Sequence, residues 1–293
     1  MYPKKLEKLE LCSYQINGES YSLQAFTAGK GIPIVILHGA MLDHSMMEAC
    51  MEPVFEKVAG YQRFYLDLPG MGDTEASIAS ASSDQILELL CEFIKDHIPN
   101  DSFVLAGESY GGYLARGLLK DFSDRIRGML LLCPVVEPVK SKRRVPEHHV
   151  LEHYFTNDLD MEQPMNQMYS NMFVIQNSYT YERFLAEIYP GIQKTDNMFL
   201  NQLQKKGYTF TFPLPDTQKE FLFPVLLFAG RQDSCVGYLD ALELANSYEH
   251  STVMIADRAG HNLQIEQSVL FTQTAELFFI ELTKKRQTES PHI

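Results

Sequence analysis

A short apolar strand that runs into G-x-S-x-G and then into a helical segment constrains this chain more than any other stretch. It extends from Val104 to Gly112, with Ser109 at the centre of the pentapeptide. A serine at a sharp strand-to-helix turn has a strained backbone, so its neighbours must lack side-chain bulk. Gly107 and Gly111 meet this requirement. The free N–H groups and positive dipole end of the helix point at the turn, which favours negative charge beside Ser109.

The pentapeptide is short enough to occur by chance, and a serine in an ordinary βα turn is the alternative interpretation. The context favours a nucleophile. An apolar strand precedes Ser109, a helix follows it, and an aspartate and a histidine come later in chain order. We therefore predict that Ser109 is a catalytic nucleophile.

Length and composition limit the classes of protein to consider. The 293 residues, 45% of them hydrophobic, suffice for one large core with a sizeable insertion, or for two domains. A net charge of −13 argues against nucleic acid or an anionic membrane as the main partner. The charged N-terminus and the short apolar runs predict a cytoplasmic protein without a membrane span. Five scattered cysteines without C-x-x-C indicate reduced thiols rather than disulfides or a zinc site.

Apolar patterns predict the strands and helices. Asn17-Gly18 separates two runs, 8–16 and 20–28, and indicates a hairpin at one edge of a sheet. The continuous apolar run from Ile32 to Leu37 is typical of a parallel strand that is covered on both faces. Further strands are predicted at 64–66, 104–108, 126–135, 224–229 and 252–255. Helices are predicted over 45–59, 83–97 and 263–282, with a helix directly after Ser109 and a disordered tail at 284–293.

This alternation predicts an α/β fold, with a mostly parallel eight-stranded sheet and helices on both faces. The stretch between Pro134 and Phe223 has no convincing strand and is too long for a simple connection. Methionines and aromatic residues at helical spacing predict that it forms a helical cap, which packs on the core and partly faces the cleft. These residues are Met161, Met165, Met168, Met172, Tyr154, Phe155, Tyr169, Phe173, Tyr179, Tyr181, Phe184 and Tyr189. The predicted division is core at 1–135, cap at 136–221 and core again at 222–293.

A serine hydroxyl needs a base to remove its proton, and His261 is the candidate. It follows the last predicted strand, and imidazole titrates near neutral pH. Asp233, just after the preceding strand, is the candidate to orient the imidazole. Two alternatives stay open: Asp233 is an ordinary loop aspartate, or Asp257 takes the role. Because Asp257 lies four residues before His261, it more readily shapes the histidine loop.

Acyl transfer also needs two N–H groups to stabilise an oxyanion. One is the N–H of Tyr110, directly after the nucleophile. The second belongs to the loop after the Ile32–Leu37 strand, where Ala40 is the first choice and Met41 the second. His38, at the end of that strand, is interpreted as a structural hydrogen-bonding residue rather than a catalytic one.

Taken together, the motifs resemble those of the α/β-hydrolase superfamily, in its cap-bearing branch of esterases, lactonases and carbon–carbon-bond hydrolases. The matching pieces are Leu37-His38-Gly39, Asp67-x-Pro69-Gly70-x-Gly72, Gly107-x-Ser109-x-Gly111-Gly112, Gly230-Arg231-x-Asp233 and Ala259-Gly260-His261-Asn262. The resemblance implies that Ser109 is the nucleophile, His261 the base and Asp233 the acid, with Ala40 and Tyr110 as the oxyanion hole. Neither a metal nor an organic cofactor is implied. Glu108 occupies a variable position of the family pattern and is expected to point sideways, away from the chemistry.

The expected function is hydrolysis of a small or medium apolar ester, lactone, thioester or activated ketone, a small-molecule substrate. One alternative is a carbon–carbon-bond hydrolase in which His261 activates water or the substrate directly. Another is a non-catalytic receptor for a small molecule.

Three weaker signals are given their ordinary interpretations. His148, His149 and His153 are expected to form a solvated start of the cap rather than a metal site. The run Ser141-Lys142-Arg143-Arg144 is expected to be a solvated connector, although it could attract an anionic substrate. Cys235 is expected to be a buried, inert thiol rather than a redox-sensitive one.

Overall fold

A nine-stranded sheet determines which loops of the chain meet. The computed structural model describes residues 6–16, 18–154, 159–160, 162–217 and 221–289. The strands are β1 Glu7–Lys8, β2 Cys12–Ile16, β3 Glu19–Gly29, β4 Ile32–Leu37, β5 Tyr61–Asp67, β6 Phe103–Glu108, β7 Ile126–Leu132, β8 Glu152–Tyr154, β9 Ile175–Asn177, β10 Val225–Gly230 and β11 Ser251–Ala256. The sheet order is β1-β3-β5-β4-β6-β7-β10-β11, and β2 also pairs with β3. The mostly parallel α/β fold is therefore confirmed, with nine strands rather than eight in the main sheet.

Helices connect these strands. The α-helices are α1 His44–Phe55, α2 Ser83–His97, α3 Tyr110–Phe122, α4 Pro164–Met172, α5 Ser178–Arg183, α6 Tyr189–Lys194, α7 Asn197–Gln202, α8 Leu239–Leu244, α9 Leu263–Glu266 and α10 Ser268–Glu289. Helix α1 packs against α10, and α2 packs against α3, so the long helices of the core form two pairs beside the sheet.

The antiparallel edge of the sheet explains the extra strand. Asn17 lies outside the described residues, but the two strands that flank it pair as a hairpin, β2 with β3. The predicted strand at 8–16 is interrupted: β2 pairs with the first half of β3, and the two residues of β1 pair with Phe26 and Thr27 further along. The eleven residues of β3 are long enough to hold both short strands on one side while β5 pairs on the other.

The parallel part of the sheet brings several loops to one edge. All residues of β4, β6 and β10 are buried, as their continuous apolar sequences predict. The ends of neighbouring strands lie side by side in register: Leu37, the last residue of β4, is beside Gly107, the last but one of β6, and Gly230 is beside Ala256. Since the carboxyl ends of parallel strands share an edge, the loops after β4, β6, β10 and β11 converge there.

The long stretch after β7 is mainly helical, as expected, but it also contains two short strands. Residues of β8 and β9 pair in parallel as a separate two-stranded sheet, so the expectation of no strand here is wrong. Each strand has three residues, too few for a recognisable alternating pattern. Tyr169, Phe173 and Phe184 are fully buried and pack together, which explains the aromatic spacing. Met161 and Phe155 lie outside the described residues, and the domain boundaries stay a prediction.

The C-terminal helix differs from its prediction in two ways. It is divided at Gln267, where the backbone leaves the helical region and separates α9 from α10. Helix α10 then continues to Glu289, beyond the predicted end at Leu282. The expectation of disorder is therefore wrong for 284–289, and 290–293 lie outside the described residues.

Candidate active site

Ser109 is the single residue between strand β6 and helix α3, and its backbone is strained. Its φ of 50° and ψ of −114° lie outside the regions that a side chain normally allows. A side chain on Gly107 would collide with the backbone of Gly111 and Gly112, and one on Gly111 would collide with the Leu37 carbonyl. The glycines therefore permit a turn tight enough to present the serine at the carboxyl edge of the sheet.

The structure brings the three predicted triad side chains into direct contact. The Oγ of Ser109 lies 2.9 Å from Nε2 of His261, and Nδ1 of His261 lies 2.8 Å from Oδ2 of Asp233. Ser109 and Asp233 are buried, whereas the imidazole is partly exposed. With Nδ1 donating its proton to Asp233, Nε2 is left to accept the hydroxyl proton of Ser109.

The surroundings of Asp233 favour its ionised form. Its other oxygen, Oδ1, accepts the backbone N–H groups of Cys235 and Val236 at 2.8 and 2.9 Å. Burial alone would raise the pKa of Asp233, but His261 and these hydrogen bonds hold that pKa below its ordinary value. Burial likewise opposes the imidazolium, yet Asp233 and then Cys235 raise the pKa of His261 well above its ordinary value. The site therefore stabilises the charged imidazole that forms when Ser109 loses its proton.

Asp257, the rival for the acid role, does not reach the imidazole. Its exposed carboxylate accepts the amide of Gln232 at 3.0 Å, and the oxygen of the same amide group accepts the N–H of Ala259 at 3.1 Å. Asp257 therefore helps to shape the histidine loop through Gln232, as its position in the sequence suggests.

A second residue that holds the histidine loop is not apparent from the sequence. The half-buried carboxylate of Glu266 accepts the N–H of Gly260 at 2.6 Å, and those of Val174 and Ile175 at 2.6 and 3.1 Å. It thus ties the loop of His261 to the start of β9 in the long insertion. The signal available was a glutamate among the apolar residues that follow the histidine loop, but nothing there pointed to its partners.

The oxyanion-hole candidates both have their backbones at the site. Tyr110 is the first residue of α3, so helix geometry leaves its N–H without a partner inside the helix. Its side chain is buried and its hydroxyl lies 2.8 Å from Oγ of Ser83, so it turns away from the hydroxyl of Ser109. Ala40 and Met41 both line the cavity above Ser109, and Met41 has a left-handed φ of 72°. Which of the two donates stays a prediction, with Ala40 as the first choice.

His38 is a structural residue, as predicted. It is fully buried, its Nε2 accepts the N–H of Leu68 at 2.9 Å, and its Nδ1 donates to the carbonyl of Gly39 at 2.7 Å. These bonds join the loop after β4 to the loop after β5. Burial lowers the pKa of His38, so the neutral form is favoured.

Glu108 lies closer to the chemistry than expected. Its carboxylate is buried, and Oε1 lies 3.3 Å from Nε2 of His261. Oε2 is buried without a hydrogen-bond partner among the described residues. Burial raises the pKa of Glu108 to about 7, an effect that His261 opposes and Asp233 increases. The expectation that Glu108 points away from the site is wrong, because the sharp turn at Ser109 directs the last side chain of β6 toward the histidine.

Cys235 is also placed differently from its prediction. It is exposed at the cavity rather than buried, because it lies in the loop that carries Asp233. The neighbouring His261 lowers the pKa of its thiol despite the opposing effect of desolvation. A sequence alone cannot show that this thiol and the imidazole meet.

One group of potential metal ligands overlaps with the predicted triad. Among the described residues, one group of three such side chains comes together, Cys133 with Asp233 and His261, and two of them already contact each other in the triad. The histidines at the start of the insertion do not form a cluster of this kind. His148 contacts the carbonyl of Ser170, and His153 contacts the amide of Gln176.

A cavity of about 730 Å³ opens above Ser109. Core loops and the insertion both contribute to its walls. The lining includes Ala40, Met41, Ser109, Gly260 and His261 from the core, and Val139, Lys140, Arg143, Met172, Lys205, Lys206 and Tyr208 from the insertion. Met172 belongs to the predicted methionine stripe, so part of that stripe faces the cleft as expected. The volume suits a small or medium substrate.

Residues 32–268 match the sequence profile of the family described as alpha/beta hydrolase fold. The chain belongs to this family. The match extends from the first parallel strand to the start of α10 and includes every loop that carries a triad residue. No helix among the described residues of this α/β hydrolase is long and apolar enough to cross a bilayer.

Solved and curated proteins support the same assignment. An alpha/beta superfamily hydrolase from Oenococcus oeni PSU-1 is 35% identical, with a TM-score of 0.83, over 93% of this chain and 99% of that one. A meta-cleavage product hydrolase from Pseudomonas fluorescens IP01 shares the fold at 18% identity, with a TM-score of 0.64 over 92% and 97% of the two chains. A pimeloyl-[acyl-carrier protein] methyl ester esterase of Shewanella oneidensis is 29% identical over 112 residues, which is 38% of the length of each protein. The chain thus has the α/β-hydrolase fold and esterase-like relatives.

Proposed function

We propose that this α/β hydrolase is a serine esterase that works through an acyl-enzyme. The observation that carries the proposal is the continuous hydrogen-bonded chain from Ser109 through His261 to Asp233, with contacts of 2.9 and 2.8 Å. Such a chain activates a hydroxyl for attack on a carbonyl carbon. The ester class is supported by the relative named a methyl ester esterase, and thioesters, lactones and activated ketones have the same electrophilic carbonyl.

The proposed reaction has two halves. In the first, Oγ of Ser109 attacks the carbonyl carbon while Nε2 of His261 takes the hydroxyl proton. The oxyanion accepts the N–H groups of Tyr110 and Ala40, and collapse expels the alcohol, which receives the proton from His261. In the second, water loses a proton to His261 and attacks the acyl group, releasing the carboxylic acid and restoring the serine. Asp233 keeps the imidazole oriented throughout.

The first test is removal of the nucleophile. We expect Ser109→Ala to lower kcat by at least about a thousandfold, because only binding and the oxyanion donors remain. The assay is hydrolysis of short-chain p-nitrophenyl esters, accompanied by labelling with a fluorophosphonate probe. Ser20→Ala, in the exposed hairpin, is the matched control and should keep both activity and labelling. Near-native turnover by Ser109→Ala would rule out the mechanism.

A second measurement separates an acyl-enzyme from direct attack by water. Two esters of one acid with different alcohols, such as phenyl and p-nitrophenyl acetate, are hydrolysed in buffer that contains methanol. A shared acyl-enzyme divides between methanol and water in one ratio whatever the leaving group. A ratio that changes with the leaving group would contradict the acyl-enzyme and favour activation of water by His261.

A further inference from the structure

The described lining of the cavity above Ser109 contains basic side chains but no acidic ones. Four of the lining side chains are those of lysine or arginine: Lys140, Arg143, Lys205 and Lys206. Among the described residues that line it, none is an aspartate or a glutamate. In the whole chain, acidic residues outnumber basic ones by 38 to 25, so the cavity reverses the overall bias. A positive cleft in a negative protein concentrates anions locally.

Arg143 is the most firmly held of these cations. It is half-buried and donates from Nε to the carbonyl of Glu137 at 2.8 Å, from Nη1 to that of Cys235 at 3.1 Å and from Nη2 to that of Pro138 at 3.4 Å. Carbonyl oxygens orient a guanidinium but do not neutralise it. The side chain is therefore held in place with its charge available to a ligand.

The adjacent arginine, Arg144, is neutralised by carboxylates. Arg144 forms ion pairs with the carboxylates of Asp240 and Glu243. No described carboxylate forms such a pair with Arg143 or with any of the three lysines that line the cavity. Arg144 is therefore paired in a structural contact, whereas Arg143 lines the cavity without a carboxylate partner among the described residues.

The cations and the reacting groups come from different parts of the chain. Lys140 and Arg143 follow β7 at the start of the insertion, and Lys205 and Lys206 lie in a π-helical turn, 203–207, near its end. The nucleophile and its base come from core loops. Arg143 reaches the loop of the triad acid through the carbonyl of Cys235. A substrate can thus place its carbonyl at Ser109 and its other end against the insertion.

We propose that the substrate is an ester with an anionic group, a carboxylate or a phosphate, at the end remote from the bond that is cleaved. Arg143 and the lysines at 140, 205 and 206 hold this anion, while the scissile carbonyl lies at Ser109. The inference rests on the proposed esterase function and adds the charge of the substrate to it. It also gives a role to part of the basic run at 141–144, of which Arg143 lines the cavity and Lys142 does not.

The test compares esters that differ only in the remote group. p-Nitrophenyl hexanoate is neutral, the mono-p-nitrophenyl ester of adipic acid ends in a carboxylate, and a third ester of the same length ends in a phosphate. We define the preference as the ratio of kcat/KM for an anionic ester to that for the neutral ester, at low ionic strength. The expected preference is at least about tenfold, since one charge-assisted contact is worth about that factor. The two anionic esters show which group is favoured.

Substitutions then locate the anion site. Arg143→Gln should reduce the preference by about tenfold, and Arg143→Lys should retain most of it because the charge remains. If Arg143→Gln fails to fold, the exposed pair Lys205→Gln/Lys206→Gln supplies the test, with an expected reduction of at least about threefold. Lys142→Gln is the matched control, because Lys142 lies in the same turn as Lys140 but outside the cavity lining. It should leave the preference unchanged.

The outcomes distinguish this inference from the esterase proposal. Equal rates on neutral and anionic esters, abolished alike by Ser109→Ala, would overturn the anion site and leave the esterase standing. An equal loss of preference in Lys142→Gln and Arg143→Gln would also overturn it. If no ester is hydrolysed, the esterase proposal fails, and calorimetry with adipate still decides the anion site. Adipate binding that Arg143→Gln weakens and Lys142→Gln does not would support it, and no binding would end it.

Discussion

Glu108 places a buried carboxylate beside the imidazole of His261. The charge state of this carboxylate affects the stability of the fold. Four groups lie near the carboxylate of Glu108: the imidazole of His261, the carboxylate of Asp233, the backbone of Gly39 and the side chain of Ser109. One of its oxygens is buried without a hydrogen-bond partner among the described residues. Burying an ionised carboxylate in this way costs free energy, so protonation favours the folded state.

Glu108→Gln should therefore stabilise the protein at high pH. Folding raises the pKa of Glu108 from 4.5 to about 7. The protonated carboxyl of Glu108 is favoured in the folded state, so its contribution to stability is complete below pH 4.5 and is lost as the pH rises through 7. At pH 8.5 the variant, which stays neutral, should be more stable than the parent by up to about 3 kcal/mol, and at pH 5 the gain should be much smaller. Urea unfolding at both pH values measures this.

The control for this prediction is Glu266→Gln. The carboxylate of Glu266 accepts three backbone N–H groups, and an amide nitrogen cannot accept any of them. Burial raises the pKa of Glu266 to about 7 as well, so this variant also sheds a charge penalty at pH 8.5, but the N–H group that it leaves unpaired should make it less stable than Glu108→Gln at both pH values. A Glu108→Gln variant that is equally destabilised at pH 8.5 would show that its carboxylate is needed in the ionised form.

Cys235 should make the enzyme sensitive to thiol reagents. The thiol is exposed at the cavity, and His261 lowers its pKa, which increases the reactive thiolate. We expect iodoacetamide to inhibit ester hydrolysis, because the added group fills the cavity beside the imidazole. The measurement is residual activity against labelling by mass spectrometry. Cys235→Ser should remain active and resist the reagent, and inhibition that persists in this variant would assign it to another thiol.

Among the elements, helix α3 directly follows Ser109 and also holds both ends of the insertion. Arg116, fully buried in α3, donates to the carbonyls of Val135 and Val136 where the insertion begins. It also forms a two-bond contact, at 2.6 and 3.2 Å, with the buried carboxylate of Asp216 near the end of the insertion. One side chain of α3 therefore contacts both ends of the insertion.

Arg116→Met should lower the free energy of unfolding by about 3–5 kcal/mol, because it leaves the carboxylate of Asp216 buried without its cation. Arg144→Gln is the comparison: its guanidinium is half exposed, and the buried carboxylate of Asp240 would still accept the backbone N–H of residue 144, so a smaller loss is expected. Chemical denaturation of both variants tests the comparison. A similar small effect for the two arginines would mean that Asp216 finds another partner or takes up a proton.

For the molecule as a whole, the charge of the cavity lining is opposite in sign to the net charge of the chain. The chain carries a net charge of −13, while the described lining of the cavity above Ser109 contains three lysines and an arginine but no aspartate or glutamate. Self-repulsion of the negative surface opposes folding, whereas the positive cavity attracts anions. Both effects weaken as salt screens them, but they change stability and activity in opposite directions.

Raising NaCl from 20 to 300 mM should therefore raise Tm while it lowers kcat/KM for an anionic ester. A gain of about 1 kcal/mol would appear as a rise of about 2–4 °C in Tm. Differential scanning fluorimetry and initial rates over the same salt series measure the two effects, with the neutral ester as the control for activity. A Tm that falls with salt would show that attractive ion pairs outweigh the repulsion.

Local patterns were sufficient for the long elements of the core and for choosing the candidates of the triad. The apolar runs of β4 and β10 predict buried parallel strands, and the glycines around Ser109 predict the turn between β6 and α3. The predictions were wrong where a short element or a long-range contact decided the outcome. The strands β8 and β9 have three residues each, and Cys235 is exposed because its loop lines the cavity.

The sequence by itself determined the α/β fold and the chain order of nucleophile, acid and base, because hydrophobic periodicity and tight turns depend on neighbours along the chain. Only the tertiary structure decided that His261 touches Ser109 and Asp233, that Glu108 faces the same imidazole, and that the cations of the insertion share one cavity. Those contacts join residues as much as 152 positions apart. Their distances follow from the packing of the sheet and the insertion, which local preferences do not specify.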